Sequence, residues 1–456
     1  MVMREVLMQE KHIIHSAAAL LASPFVGEAG WWHDLARIGT PVVEPCGEKR
    51  VQITFFWRDP EGTEQHSTIQ RVYIDINGVT DHHSTMPQSL QRLAGTDVWH
   101  WSTDIESDWR GSYSLLPIRR EQLPPVFADE CEQREWWCSL FPHAIADPLN
   151  PVKPFITHWG ESLSAAHMPD APPQAAWCAL DVGQAGEADP SRLHVFSWQS
   201  TLLGNIRRIW LYTTGEGGTP SQRPLSIILD GQKWVEEMPL FQALDEETRR
   251  ASLPPAVWLF IDVIDMSYRE QELTCNKAFW LAVQEELLPL AKQYASFSDE
   301  PDRTVVSGQS YGGLSALFAG IFWPQRFGRV LTQSGSFWWP NVEWVTHFSE
   351  NLEQDEGWLI TQARQPRSAV SPLVIFQEVG TREADMAFVN RQMNQALCHA
   401  GHQIHYREYA GGHDTLCWRG GLIDGFRWLL SDANAVNKHT QTEQGEDDEP
   451  GTAKSF

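Results

Sequence analysis

Ser310 lies in Gly308-Gln309-Ser310-Tyr311-Gly312, directly after the apolar run Arg303-Thr304-Val305-Val306-Ser307. A helix-permissive run, residues 314–321, follows it. A strand, a Gly-x-Ser-x-Gly turn and a helix predict the nucleophile elbow of an α/β-hydrolase. The turn is so sharp that a side chain two residues before or after the serine would crowd the neighbouring chain, and glycine removes that Cβ. A serine hydroxyl is a poor nucleophile at neutral pH and needs a base within hydrogen-bond reach. The fold supplies its partners in the chain order serine, acid, histidine. His413 stands in Gly411-Gly412-His413-Asp414, after the last expected strand and before the last expected helix, where the base belongs. The acid should follow the strand expected at 373–379, in Gly380-Thr381-Arg382-Glu383-Ala384-Asp385. Glu383 is the first choice, Asp385 the alternative, and Glu378 falls inside the strand. The acid orients and charges the imidazole without being consumed, so a Ser–His dyad would run the same reaction more slowly. Two preorganised N–H donors must receive the oxyanion. They are expected at Tyr311 and, in Asp230-Gly231-Gln232-Lys233-Trp234, at Gln232, with Gly231 as the alternative.

The elements that must hold these residues differ between the two halves of the chain. Residues 1–48 read as an N-terminal extension outside either core. Its Ala17-Ala18-Ala19-Leu20-Leu21-Ala22 run only weakly imitates a signal-peptide core, because His12 and His15 interrupt the apolar run and Glu5 and Glu10 precede it. Residues 49–150 carry short alternating runs at 51–57, 71–76, 98–102 and 111–116, separated by turn residues, which predict an all-β, sandwich-like domain. Residues 151–190 are rich in Pro, Ala and Gly without a sustained period and read as a linker. From 191 to 432 apolar strands alternate with helices. Strands are expected at 194–199, 206–213, 224–229, 257–263, 304–307, 329–333, 373–379 and 405–409, and helices at 276–294, 388–400 and 418–430. That alternation predicts a mainly parallel sheet buried on both faces. Residues 433–456 read as an acidic, disordered tail.

Composition narrows the function. A net charge of −24 argues against nucleic acid, since a phosphate backbone needs a basic footprint. Seven scattered cysteines fit no zinc or redox spacing and read as free thiols of a reducing compartment. No run has the length of a membrane-spanning helix. Asp81-His82-His83 is the only metal-like cluster, and adjacent positions in a turn favour solvated side chains over ligands. Twenty-two tryptophans, several of them paired, suggest either large core aromatics or an aromatic-lined pocket for a flat ligand.

Several strings resemble one family. Gly308 to Ala316, Gln333-Ser334-Gly335-Ser336-Phe337-Trp338-Trp339-Pro340, Gly411-Gly412-His413-Asp414 and Cys417-Trp418-Arg419-Gly420-Gly421 are similar to the enterobactin (enterochelin) esterases. So are Thr80-Asp81-His82-His83, Pro87 to Arg92, Ala94 to Trp99 and Ala146-Asp147-Pro148-Leu149-Asn150-Pro151 in the first half. The likeness runs from about residue 50 to 430; Tyr311 stands where phenylalanine is frequent. It implies a cytoplasmic serine esterase that opens the trilactone of the catecholate siderophore enterobactin, usually as its ferric complex, to dihydroxybenzoyl-serine units, so that iron is released. It implies no cofactor, and the iron is cargo. A glucosylated enterobactin or another phenolic acyl ester is the alternative substrate. A ferric tris-catecholate is anionic and aromatic. Arg382 and Arg419 are therefore expected to meet its charge, and Trp338, Trp339 and Trp418 its rings, with core packing an equal expectation for each tryptophan. Arg269 is expected instead to brace the architecture by an ion pair. The first half could bind substrate, cover the site or pair copies into a homo-oligomer, and the sequence does not choose among these.

Overall fold

Period-two alternation builds the first sheet. In Arg50–Arg58, Val51, Ile53, Phe55 and Trp57 enter one core while Phe56 enters another on the opposite face. The computed structural model describes residues 16–81, 87–157, 160–184, 186–216, 219–341, 357–365 and 372–431. The expected acidic tail, from residue 433 on, and the pair His82-His83 lie outside them.

The first sheet contains β1 (Val42–Gly47), β2 (Arg50–Arg58), β3 (Arg71–Ile76), β4 (Gln88–Arg92), β5 (Val98–Glu106), β6 (Arg110–Ile118), β7 (Phe155–Ile156) and β8 (Ser162–His167). Its order is β1-β2-β5-β4-β3-β6-β8-β7, and every pairing is antiparallel. β2 and β6 are separated by three strands in that order, yet the rings of Phe55 and Tyr113 lie 4.8 Å apart. The sheet therefore curls over on itself and closes around one apolar core.

Two stretches differ from expectation. Within residues 1–48, β1 pairs with β2, and helix α1 (Ala29–Ile38) packs Trp31 edge-on against Phe56 at 5.9 Å. A short amphipathic helix and a single edge strand each bury their apolar side only against another element, so local periodicity gave them no weight. Within residues 151–190, β7 and β8 extend the sheet, β8 pairing with β6. Ser162–His167 carries small residues rather than β-branched ones, and its strand state comes from that pairing.

The second sheet contains β9 (Leu193–Ser200), β10 (Asn205–Thr214), β11 (Leu225–Ile228), β12 (Ala256–Ile261), β13 (Thr304–Gln309), β14 (Arg329–Gln333), β15 (Val374–Gly380) and β16 (Gln403–Tyr409), in the order β16-β15-β14-β13-β11-β12-β10-β9. β11 to β16 are mutually parallel, and the hairpin β9–β10 joins antiparallel at one edge. Every residue of β12 and β13 is buried. Alternate residues divide between two cores: Ile227 and Leu259 face one, Ile228 and Phe260 the other. This is the expected α/β-hydrolase sheet, covered by helices that include α2 (Met266–Leu273), α3 (Tyr311–Phe322), α4 (Ala384–His399) and α5 (Thr415–Leu429).

Helix α2 is fixed to this sheet by charge. Arg207 of β10, buried between the rings of Trp198 and Phe279, donates to Glu272 at 2.7 Å, and Asn205 donates to the same carboxylate at 2.7 Å. Removing one partner of a buried pair strands the other charge, at a cost of about 3–5 kcal/mol. Glu272→Ala should lose stability in that range by chemical denaturation, and Glu272→Gln, which keeps a hydrogen-bond acceptor, should lose less.

Candidate active site

Ser310 joins β13 to α3 with φ 58° and ψ −123°, a conformation L-residues rarely adopt. A Cβ at Gly308 would overlap the backbone of Gly312 across the turn, which explains the glycine two residues before the serine. Three backbone bonds hold the strained residue. Its N–H donates to Gln333 O at 3.1 Å, and its carbonyl accepts from Leu314 N at 3.0 Å and Ser336 N at 3.1 Å. The Oγ atoms of Ser310 and Ser336 are 3.3 Å apart.

His413 sits in the loop between β16 and α5. Its Nδ1 lies 2.6 Å from Glu383 Oε2. Glu383 is nearly sealed from solvent, whereas the His413 side chain is about one-third exposed. The other carboxylate oxygen of Glu383 accepts from Gly380 N at 2.8 Å, Ser334 Oγ at 2.6 Å and Tyr409 OH at 3.2 Å. Trp418 Nε1 donates to Ser334 Oγ at 2.9 Å, and its ring meets the imidazole edge-on at 4.6 Å. Ser310 and His413 open into one cleft of about 430 Å³, lined also by Asp230, Gln232, Lys233, Arg269, Gln309 and Trp418.

The expected acids separate cleanly. Glu383 is the carboxylate on the imidazole. Asp385 lies in the first turn of α4 and, among the described residues, has no bond to His413; burial pushes its carboxyl up to about 6. Glu378 is buried within β15, bonded to Gln333 and Arg407, and burial raises its pKa as well. On the oxyanion side, Tyr311 is the first residue of α3, where a backbone N–H has no intrahelical partner. Gln232 lines the cleft from the opposite turn and Gly231 is buried against β12, with no room for a side chain beside the Ile261 backbone. Arg269 is the brace expected of it. It donates to both oxygens of Asp230, to Oδ2 at 2.9 Å, and reaches Gln309 O at 3.4 Å, so it ties the 230–234 turn to the elbow.

Four residues expected to touch the ligand do not line this cleft. Arg419 is 1% exposed, and its guanidinium is held by Asp181 at 2.7 and 2.8 Å and by Gln174 at 2.6 Å. It fastens residues 174–181 to α5 and does not line the cleft. Arg382 pairs with Glu106 at 2.7 Å and also stays out of the cleft. Trp338 packs in the core near Tyr311, with ring centres 5.7 Å apart, and Trp339 packs edge-on against Trp358. Sequence position put both arginines near the base and acid; partners distant in sequence had already claimed their charge. Trp418 does line the cleft, where its ring also braces His413.

Sequence reading missed the residues that hold the histidine loop. Asn77, just past β3, donates to His413 O at 3.0 Å. A Cβ on Gly412 would overlap the Asn77 side chain, so the glycine is required by this close approach. Arg110 N donates to Ala410 O at 3.1 Å, Ser112 N donates to the Asp414 carboxylate, and Cys417 Sγ donates to Arg110 O at 3.2 Å. The curled sheet thus grips the loop of the base on one side. Asn77-Gly78 reads locally as an ordinary strand-ending turn, and nothing in it signals a partner more than 300 residues away.

Two family models match. Residues 52–177 fit "Enterochelin esterase, N-terminal" and residues 218–429 fit "Putative esterase". The chain belongs to the enterochelin esterase family. It is 65% identical over 419 residues to an iron(III) enterobactin esterase of Dickeya dadantii, spanning 91% of this chain and 95% of that one. The crystal structure of a ferric enterobactin esterase from Salmonella typhimurium, 44% identical, superposes with a TM-score of 0.79 over 89% of this chain and all of that one. The enterobactin esterase of Shigella flexneri, crystallised in the presence of enterobactin, is 45% identical with a TM-score of 0.74, over 89% of this chain and 98% of that one. Among the described residues, no helix is long and apolar enough to cross a membrane.

The geometry makes the two acids separable. Glu383→Gln should lower kcat by about 10²–10⁴-fold, because an amide no longer stabilises the imidazolium. Asp385→Asn should leave kcat within about two-fold. Asp385 should report instead in stability. Its folded pKa lies above the free value, so its contribution is present below about pH 4 and is lost as pH rises through about 6. Denaturation midpoints across that window should lose this slope in Asp385→Asn.

Proposed function

We propose that this chain is a serine esterase that hydrolyses the trilactone of ferric enterobactin to dihydroxybenzoyl-serine units, with Ser310 as nucleophile, His413 as base and Glu383 as acid. The observation that supports it most directly is the 2.6 Å contact of His413 Nδ1 with a buried carboxylate whose other oxygen accepts three hydrogen bonds, in a cleft that Ser310 shares. A carboxylate on Nδ1 fixes the tautomer that leaves Nε2 free to accept a proton. Ser310 Oγ attacks the lactone carbonyl as His413 takes its proton. The N–H groups of Tyr311 and Gln232, or Gly231 in its place, receive the oxyanion. The tetrahedral intermediate collapses, the C–O bond to the seryl oxygen breaks, and His413 returns the proton to that leaving oxygen. Water, deprotonated by His413, then cleaves the acyl-enzyme and regenerates Ser310. The trilactone is opened, and further rounds shorten the linear product. The iron travels as cargo on the substrate. Seven free thiols support a reducing, cytoplasmic compartment.

Wild-type protein given ferric enterobactin should yield linear trimer, dimer and monomer, resolved by chromatography over time. Ser310→Ala should lower the rate by about 10³-fold or more, with substrate still bound. Product release by Ser310→Ala at the wild-type rate would remove the nucleophile from this scheme.

A further inference from the structure

Both arginines expected to meet the ligand charge are committed elsewhere, which leaves open what receives an anionic substrate in a chain of net charge −24. Among the described residues, three cationic side chains line the cleft: Arg208, Lys233 and Arg269. Arg208 is neutralised by Asp262 at 2.9 Å and Glu236 at 2.7 Å. Arg269 is neutralised by the bidentate pair with Asp230. Lys233 differs from both. Among the described residues no carboxylate pairs with it, and its Nζ lies 5.4 Å from the centre of the Trp418 ring. That ring touches His413, and Lys233 directly follows Gln232, so the ammonium stands beside the reacting groups. The backbone holds it there. Lys233 opens a single wide helical turn, Lys233–Glu237, with its N–H bonded to Asp230 O at 3.0 Å and its carbonyl to Met238 N at 2.8 Å. Such widened turns favour functional positions.

We infer that Lys233 is the charge-recognition residue of this site, and that it selects the ferric form of the substrate by pairing with catecholate oxygens. The inference rests on the siderophore-esterase reading above. Three catecholates on one ferric ion carry a net negative charge, whereas iron-free catechols keep most of their protons at neutral pH. An ammonium held over an aromatic face offers both a counter-charge and a flat apolar neighbour to a catecholate ring. Asp262 and Glu236 together outweigh the single charge of Arg208, so this part of the cleft lining would repel the same ligand. Lys233, the one cation of the cleft without a carboxylate partner among the described residues, therefore decides where a catecholate settles.

The test compares Lys233→Met with wild type on ferric and on iron-free enterobactin, at neutral pH and low salt. The expected result is a KM for the ferric complex about ten-fold higher with kcat within about two-fold, and both constants within about two-fold on the iron-free form. Added salt should raise the wild-type KM for the ferric complex and leave that of the variant nearly flat. Lys233→Arg should restore most of the preference. Lys233→Gln, checked for a wild-type unfolding midpoint, repeats the comparison without the apolar end group. Equal loss on both forms would assign Lys233 a structural role and overturn the inference, as would unchanged constants on both. Failure of the wild-type protein to open either form would overturn the siderophore reading, and the Lys233 assignment with it.

Discussion

The site depends on one contact, the carboxylate of Glu383 against Nδ1 of His413. A histidine in a loop has two ring nitrogens and several rotamers, and only one arrangement presents Nε2 to a serine. Glu383 selects it, and the selection is only as good as the fixing of Glu383 itself. Gly380 N, Ser334 Oγ and Tyr409 OH converge on its second oxygen from the ends of β15, β14 and β16. Three neighbouring parallel strands therefore set the position of one carboxylate, and through it the imidazole. Trp418 closes the arrangement from α5 by bonding Ser334 and covering the face of the site beside the ring.

The histidine loop has a second restraint, and it comes from the other half of the chain. Asn77, Arg110 and Ser112 lie at strand ends of the curled antiparallel sheet and bond to His413, Ala410 and Asp414. The Arg382–Glu106 pair joins the acid loop to the same sheet. These bonds cross between elements with little shared sequence neighbourhood, yet all fall on the two loops that carry base and acid. The first sheet thus acts on the site as a brace for loop geometry, which matters because misplacing reacting groups by about 1 Å can cost two orders of magnitude in rate.

Beneath the nucleophile runs a chain of buried polar groups. Trp234 Nε1 donates to Gln309, Gln309 to Gln333, and Gln333 to Glu378, whose other oxygen accepts from Arg407. Buried amides and carboxylates are costly unless their partners are in place, and a satisfied chain holds a unique arrangement. Here it connects the turn that carries Gln232 to the strand that carries Ser310. Together with the Arg269–Asp230 pair it fixes the spacing between the 230–234 turn and the turn at Ser310.

The sequence by itself pointed to Ser310, His413 and Glu383, and it determined the parallel sheet beneath them and the antiparallel sheet before it. Each of those follows from short-range rules: a Gly-x-Ser-x-Gly turn between strand and helix, fully apolar strands that alternate with helices, and period-two runs bounded by turn residues. It did not reveal that residues 42–47 and 162–167 extend the first sheet, since a strand of weak local preference takes its conformation from its partner. Nor did it reveal the uses of the charged side chains. Arg382 and Arg419 stand beside the acid and the base in sequence, but Glu106 and Asp181 neutralise them in space, while Lys233, unremarkable in its turn, is left facing the cleft. Backbone conformation is largely a local property of the residues that adopt it. Which charge remains unpaired depends on every neighbour that folding brings within a few ångströms, and only the tertiary structure decides that.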